Sequence, residues 1–191
     1  MRSVFLSLTI LLLFSCNENR DPAYKVDSLE EKSKAVVMQT PEQTVKNFLI
    51  WYKTNYKKIS GIEMVNNNPP VDDTLLWYSV NFPATEKWLQ LFKESGYVSD
   101  EFVTHWRKYF KDCEKDFQKN HAWDGPPDGF DYDFIFNSQE EFPSDSVIQN
   151  ATTKSANLTG DRVTISLEIP DFGELTKKLV KSTDGKWLLT E

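Results

Sequence analysis

Cysteine and histidine are nearly absent: two of each in 191 residues. So few cysteines exclude a disulfide-dense scaffold, and stability must come from a packed core. With only His105 and His121, a zinc site would need carboxylates or Cys113 as further ligands, and no His-Glu-x-x-His occurs. Nor is there a Gly-x-Ser-x-Gly elbow, a phosphate loop or a dinucleotide fingerprint. Positive charge is also scarce. Twenty-two basic residues face twenty-nine acidic ones, a formal net charge of −7. That balance argues against nucleic acid, which needs a basic face, and against a basic patch for anionic lipid. No apolar run is long enough to span a bilayer. The longest, Val4 to Phe14, has the length of a signal-peptide core.

That run follows Arg2 and ends in Leu13-Phe14-Ser15-Cys16. An aliphatic residue at minus three, a small one at minus one and then cysteine resembles the lipobox of bacterial lipoproteins. The resemblance implies a signal peptide over residues 1–15, removed on processing, and lipidation of Cys16, with the membrane as a partner through the lipid. Several acyl chains hold a protein on a membrane stably where one does so marginally. Residue 17 is Asn, not Asp, which by analogy with the enterobacterial sorting rule points to the outer membrane. Residues 16–39 are mainly polar and charged, cannot bury enough apolar area to fold alone, and read as the lipidated cysteine and a flexible tether. Residues 40–191 suffice for one domain.

Within that domain Thr40-Pro41-Glu42-Gln43 is a helix start, with Thr40 as cap, Pro41 in the first turn and Gln43 closing a capping box. Val45, Phe48, Leu49, Tyr52 and Tyr56 then recur at helical spacing toward a basic end at Lys57-Lys58. Leu75 to Phe82 reads as a short strand or an irregular aromatic cover. A second helix is expected from Thr85 to Ser95, stopped by Gly96. A third follows Ser99, with Phe102, Trp106, Tyr109, Cys113 and Phe117 as one seam and Cys113 as a small buried hydrophobe. After the breakers Asp124 to Gly129, the stretch Phe130 to Phe136 alternates rings with Asp131 and Asp133 and reads as the clearest strand. Val147 to Leu158 and Arg162 to Ile169 read as further strands. Leu175 to Lys181 and Lys186 to Thr190 read as a hairpin around Asp184-Gly185.

Helices first and strands afterwards predict an α+β domain, with N-terminal helices packed on one face of a curved antiparallel sheet. The motifs Pro41-Glu42-x-x-Val45-x-x-Phe48-x-x-Trp51-Tyr52, Asp131-x-Asp133-Phe134 with Gln139-Glu140, and Gly185-x-Trp187 resemble those of the cone-shaped, nuclear transport factor 2-like envelope domains of unknown function. The resemblance implies the fold. It carries no function, because this fold hosts enzymes, binders and scaffolds.

Three constellations bear on chemistry. His105 shares a helix side with Glu101, Asp112 and Asp116 and is the catalytic candidate, as a base held by carboxylates or as a metal ligand; the alternative is a boundary histidine among solvated acids. Asp131 and Asp133, on one strand face about 7 Å apart, would bind a cationic or hydroxylated ligand, or form a solvated acidic edge. Trp123, in a loop with His121, is the aromatic residue least suited to a core. The reading these support is a membrane-tethered, non-catalytic binding module for a small molecule or protein, with Trp123, Asp131 and Asp133 near the site. No cofactor, metal or nucleic acid is implied. Two alternatives stand beside it: an enzyme using His105 or an Asp as base, and an inhibitor or immunity-type module presenting an acidic surface to a basic protein.

Overall fold

The computed structural model describes residues 39–68, 77–121 and 127–191. The expected signal peptide, Cys16, the expected tether up to residue 38 and Trp123 lie outside the described residues. Helix α1 (Pro41–Ser60) starts where expected, with Thr40 Oγ1 accepting from the Gln43 amide at 3.2 Å. The return arm of the capping box does not form. Gln43 Nε2 instead donates to Asn47 Oδ1 at 2.9 Å, one turn along. Strands β1 (Val65–Asn68) and β2 (Trp77–Val80) pair antiparallel. Helix α2 (Phe82–Glu94) begins three residues before the expected Thr85, because the Asn81 side chain accepts from the Ala84 amide. Helix α3 (Asp100–Lys119) is capped by Ser99 and buries Phe102, Trp106, Phe110, Cys113 and Phe117. Cys113 is a free, buried thiol, and burial pushes its pKa up.

A short helix α4 (Asp145–Gln149) precedes the sheet. It replaces the first part of the strand expected from Val147, since Ser144 caps it through the Val147 amide. Strands β3 (Thr152–Thr159), β4 (Arg162–Ile169), β5 (Gly173–Lys181) and β6 (Trp187–Leu189) form an antiparallel meander in chain order. The β5–β6 hairpin turns as expected, with Gly185 at φ +85°. The chain is thus an α+β domain: helices and a four-stranded antiparallel sheet. Val163, Ile165, Leu167 and Ile169 of β4, with Leu175 and Leu179 of β5, bury one sheet face, and α1 packs against β4 and β6. Residues Val98 and Ser99 tie the start of α3 to β6, through a parallel bridge from Val98 and the Ser99 amide on the Leu189 carbonyl at 2.9 Å.

The largest departure from expectation is at residues 130–136, which form turns and not a strand. Ile135 and Phe136 are both fully buried, which adjacent residues on a half-buried strand cannot be. The cause is Asp133. Its Oδ1 accepts from the amides of Ile135 (3.0 Å) and Phe136 (2.7 Å), and its carbonyl accepts from the Asn137 amide (2.7 Å). A side chain that captures amides two and three residues on competes directly with a sheet ladder. Just upstream, Gly129 sits at φ +80° against α3. A Cβ there would lie 2.7 Å from the Tyr109 hydroxyl, which donates to the Gly129 carbonyl. Gly129→Ala therefore combines a left-handed backbone with a displaced tyrosine and should cost about 2–3 kcal/mol of unfolding free energy. Urea denaturation measures it, and a loss below about 0.5 kcal/mol would contradict this packing.

Candidate functional site: an aromatic and acidic cleft

The turn at 130–136 forms one wall of a cleft of about 900 Å³. The opposite wall comes from the end of α1 and the start of β1. From α1, Tyr52 and Tyr56 project one turn apart onto the same side. Phe142 meets Tyr56 edge to face at 4.7 Å between centroids, making an aromatic corner. Phe130, Tyr132 and Phe134 add rings from the turn, and Trp88 lies behind. Tyr56 and Tyr132 are the exposed members of this set.

Charge in the cleft has one sign. Glu63, Asp131, Asp133, Glu140 and Glu141 line it, and among the described residues no lysine or arginine does. Asp133 is not a free ligand group. Besides the two amides, its Oδ2 accepts from the Tyr52 hydroxyl at 2.5 Å. Burial, and then the Asp133 charge, hold the Tyr52 phenol well above its ordinary range, so it stays protonated and donates. Asp131 is exposed, and its carbonyl accepts from Gln139 Nε2 at 2.8 Å. Glu140 and Glu141 are exposed as well. The cleft therefore combines solvated carboxylates with ring faces, a pairing suited to an organic cation.

The expected site residues fare differently. Asp131 and Asp133 do share one cleft, although on turns and not on one strand face. His105 is exposed on α3, edge-on to Trp106 at 5.4 Å. Among the described residues no carboxylate holds it. Glu101 forms a bidentate pair with Arg162 at 2.6 and 2.8 Å from β4, and Asp112 pairs with Lys108 and Lys115. Among the described residues no group of three or more His, Cys, Asp or Glu could hold a metal ion. His121 stacks on Trp77 at 3.6 Å and near-parallel.

A residue that sequence reading passed over is Lys177. It lies on the core face of β5 between Leu175 and Leu179, and is 7% exposed. Burial holds its pKa below the ordinary range, at about 8, and the charges of Asp133 and Glu191 do not offset this. The unfolded chain would release the same proton near 10.4. Between those values the unfolded state binds more protons, so stability should rise with pH from about 8 to about 10.4. Lys177→Met should flatten that rise and add on the order of 3 kcal/mol at pH 7. Urea midpoints of both proteins across that range are the check; parallel curves would contradict it.

No family model, curated protein or solved structure matches the chain. The class of protein is therefore defined by its own geometry: an α+β domain bearing an aromatic, acidic cleft. Among the described residues no helix is long and apolar enough to cross a membrane.

Proposed function

We propose that this chain is a lipid-tethered, non-catalytic binding module of the bacterial cell envelope, and that its cleft takes an organic cation. The observation that carries the reading is the cleft lining, in which five carboxylates and seven aromatic rings meet with no basic side chain among the described residues. A quaternary or primary ammonium gains from ring faces and from carboxylates together. The Leu13-Phe14-Ser15-Cys16 motif supports the anchor, and Asn17 favours the outer membrane. The cone-shaped family likeness rests on the sequence motifs at Pro41 to Tyr52 and Gly185 to Trp187. The enzyme reading has less support. Among the described residues His105 has no activating carboxylate contact, and both oxygens of Asp133 are engaged in holding the turn.

Two experiments test the two halves. Metabolic labelling with an alkynyl fatty acid should tag the native chain and not Cys16→Ala; retained labelling removes the anchor. For the cleft, choline serves as the probe and tryptophan fluorescence as the readout. The combined change Asp131→Asn, Glu140→Gln and Glu141→Gln alters only exposed carboxylates, so the fold should persist while choline affinity falls at least about tenfold. Unchanged affinity would remove the cleft from the proposal.

A further inference from the structure

The cleft carries more negative charge than one ammonium can answer. Elsewhere the fold matches several of its surface acids with bases: Glu86 with Arg107, Glu101 with Arg162, Asp112 with Lys108 and Lys115. In the cleft Glu63, Asp131, Glu140 and Glu141 are all exposed, and among the described residues none of them forms an ion pair. Two hydrogen bonds gather three of them on one wall. The Asp133 amide donates to the Ser138 carbonyl at 3.0 Å, and Gln139 Nε2 to the Asp131 carbonyl at 2.8 Å, which lays residues 138–141 beside the turn. Glu63 belongs to the opposite wall, just past the end of α1. Like charges brought together repel, and a cation between them relieves the repulsion.

A second observation is independent of charge. Among the described residues five large apolar side chains are exposed, and two of them, Tyr56 (38%) and Tyr132 (37%), line this cleft, one on each wall. Exposed ring surface of this kind marks a binding site, and it suits both methylene chains and the cations they carry. At about 900 Å³ the cleft also has room for a ligand well beyond a single small ammonium. Resting on the cation reading above, we propose that the ligand is a linear di- or polyamine. One ammonium sits on the wall of Asp131, Glu140 and Glu141, a second reaches toward Glu63, and the methylenes between them lie against Tyr56 and Tyr132. Each ammonium N–H donates where the cleft offers carboxylate acceptors. A quaternary ammonium has no such donor, so choline is the weaker ligand.

The test titrates the full chain with 1-aminobutane, 1,4-diaminobutane and spermidine at one salt concentration, with choline alongside. The diamine should bind at least about fivefold tighter than the monoamine, the worth of one further exposed ion pair, and spermidine tighter still. Glu63→Gln alters one exposed side chain, so the fold should persist while the advantage of the diamine over the monoamine shrinks at least about threefold. Asp161→Asn, an exposed acid of the β3–β4 turn outside the cleft, should leave that advantage intact. Monoamine and diamine binding alike, an advantage untouched by Glu63→Gln, or one lost equally in Asp161→Asn would each overturn the polyamine assignment while choline binding keeps the cation reading. Absence of binding by choline and by all three amines would overturn both.

Discussion

Trp88→Ala should lower the unfolding free energy by about 3–5 kcal/mol, a large part of the ~5–15 kcal/mol that holds a domain of this size together. Trp88 is 1% exposed. Its ring meets Phe92 at 4.2 Å within α2, Trp106 at 5.5 Å and Phe110 at 5.7 Å on α3, and Phe134 at 5.9 Å on the turn. One side chain therefore joins two helices and the loop that walls the cleft. Deleting it loses the transfer energy of an indole and opens a void that rings on three elements cannot easily fill. The thermal midpoint should fall by about 6–20 °C, at the ~2–4 °C per kcal/mol usual for this chain length. Urea and thermal unfolding of the two proteins measure it. A loss under about 1.5 kcal/mol would mean that the helices and the turn do not share this core.

Asp133→Ala comes next, with an expected loss of about 3 kcal/mol or more, because charged acceptors to buried donors contribute about 1.5–3 kcal/mol each without adding fully. The change strands the Tyr52 hydroxyl and the amides of Ile135 and Phe136 together. Asp133→Asn should cost less, since its carbonyl still accepts from the amides while its amide group opposes the Tyr52 hydroxyl. Tyr52→Phe should cost only about 1 kcal/mol, because it removes the donor along with its need. In the double variant Tyr52→Phe, Asp133→Ala the losses should fall short of additive, which reports the contact itself. Additive losses would show that Asp133 does not hold Tyr52. The same series separates the structural role of Asp133 from ligand binding, which falls to Asp131, Glu140 and Glu141.

Helices α1 and α3 were legible because two independent signals agreed at each. Thr40 and Ser99 cap, and apolar residues then follow at helical spacing, so α1 and α3 match expectation closely. Strands β4 and β5 and the turn at Gly185 were legible from period-two alternation and turn chemistry. The stretch 130–136 misled because alternation is only a pattern of residue types. Whether it becomes a strand depends on where the backbone amides go, and Asp133 takes two of them locally. At the site, the acidic character of residues 131–133 was readable. The partners were not, because Tyr56 looks like a core position on an amphipathic helix and Phe142 approaches it only in the folded chain. Charges on one helix side suggested a cluster around His105, yet Glu101 is claimed by Arg162 from β4, a pairing no local pattern reveals. Lys177 was visible as a break in the apolar face of β5, but its depth in the fold, which outweighs the charges of Asp133 and Glu191, exists only in three dimensions.

The cation cleft is tested most directly by calorimetric titration of the native full chain with choline and with the uncharged isostere carrying carbon in place of nitrogen. The two have nearly the same shape, so only charge distinguishes them. Binding of choline alone, weakening as salt is raised because exposed carboxylates are screened, is the predicted result. Equal binding of the isostere, or choline binding indifferent to salt, would contradict a cleft that selects cations through its carboxylates and rings.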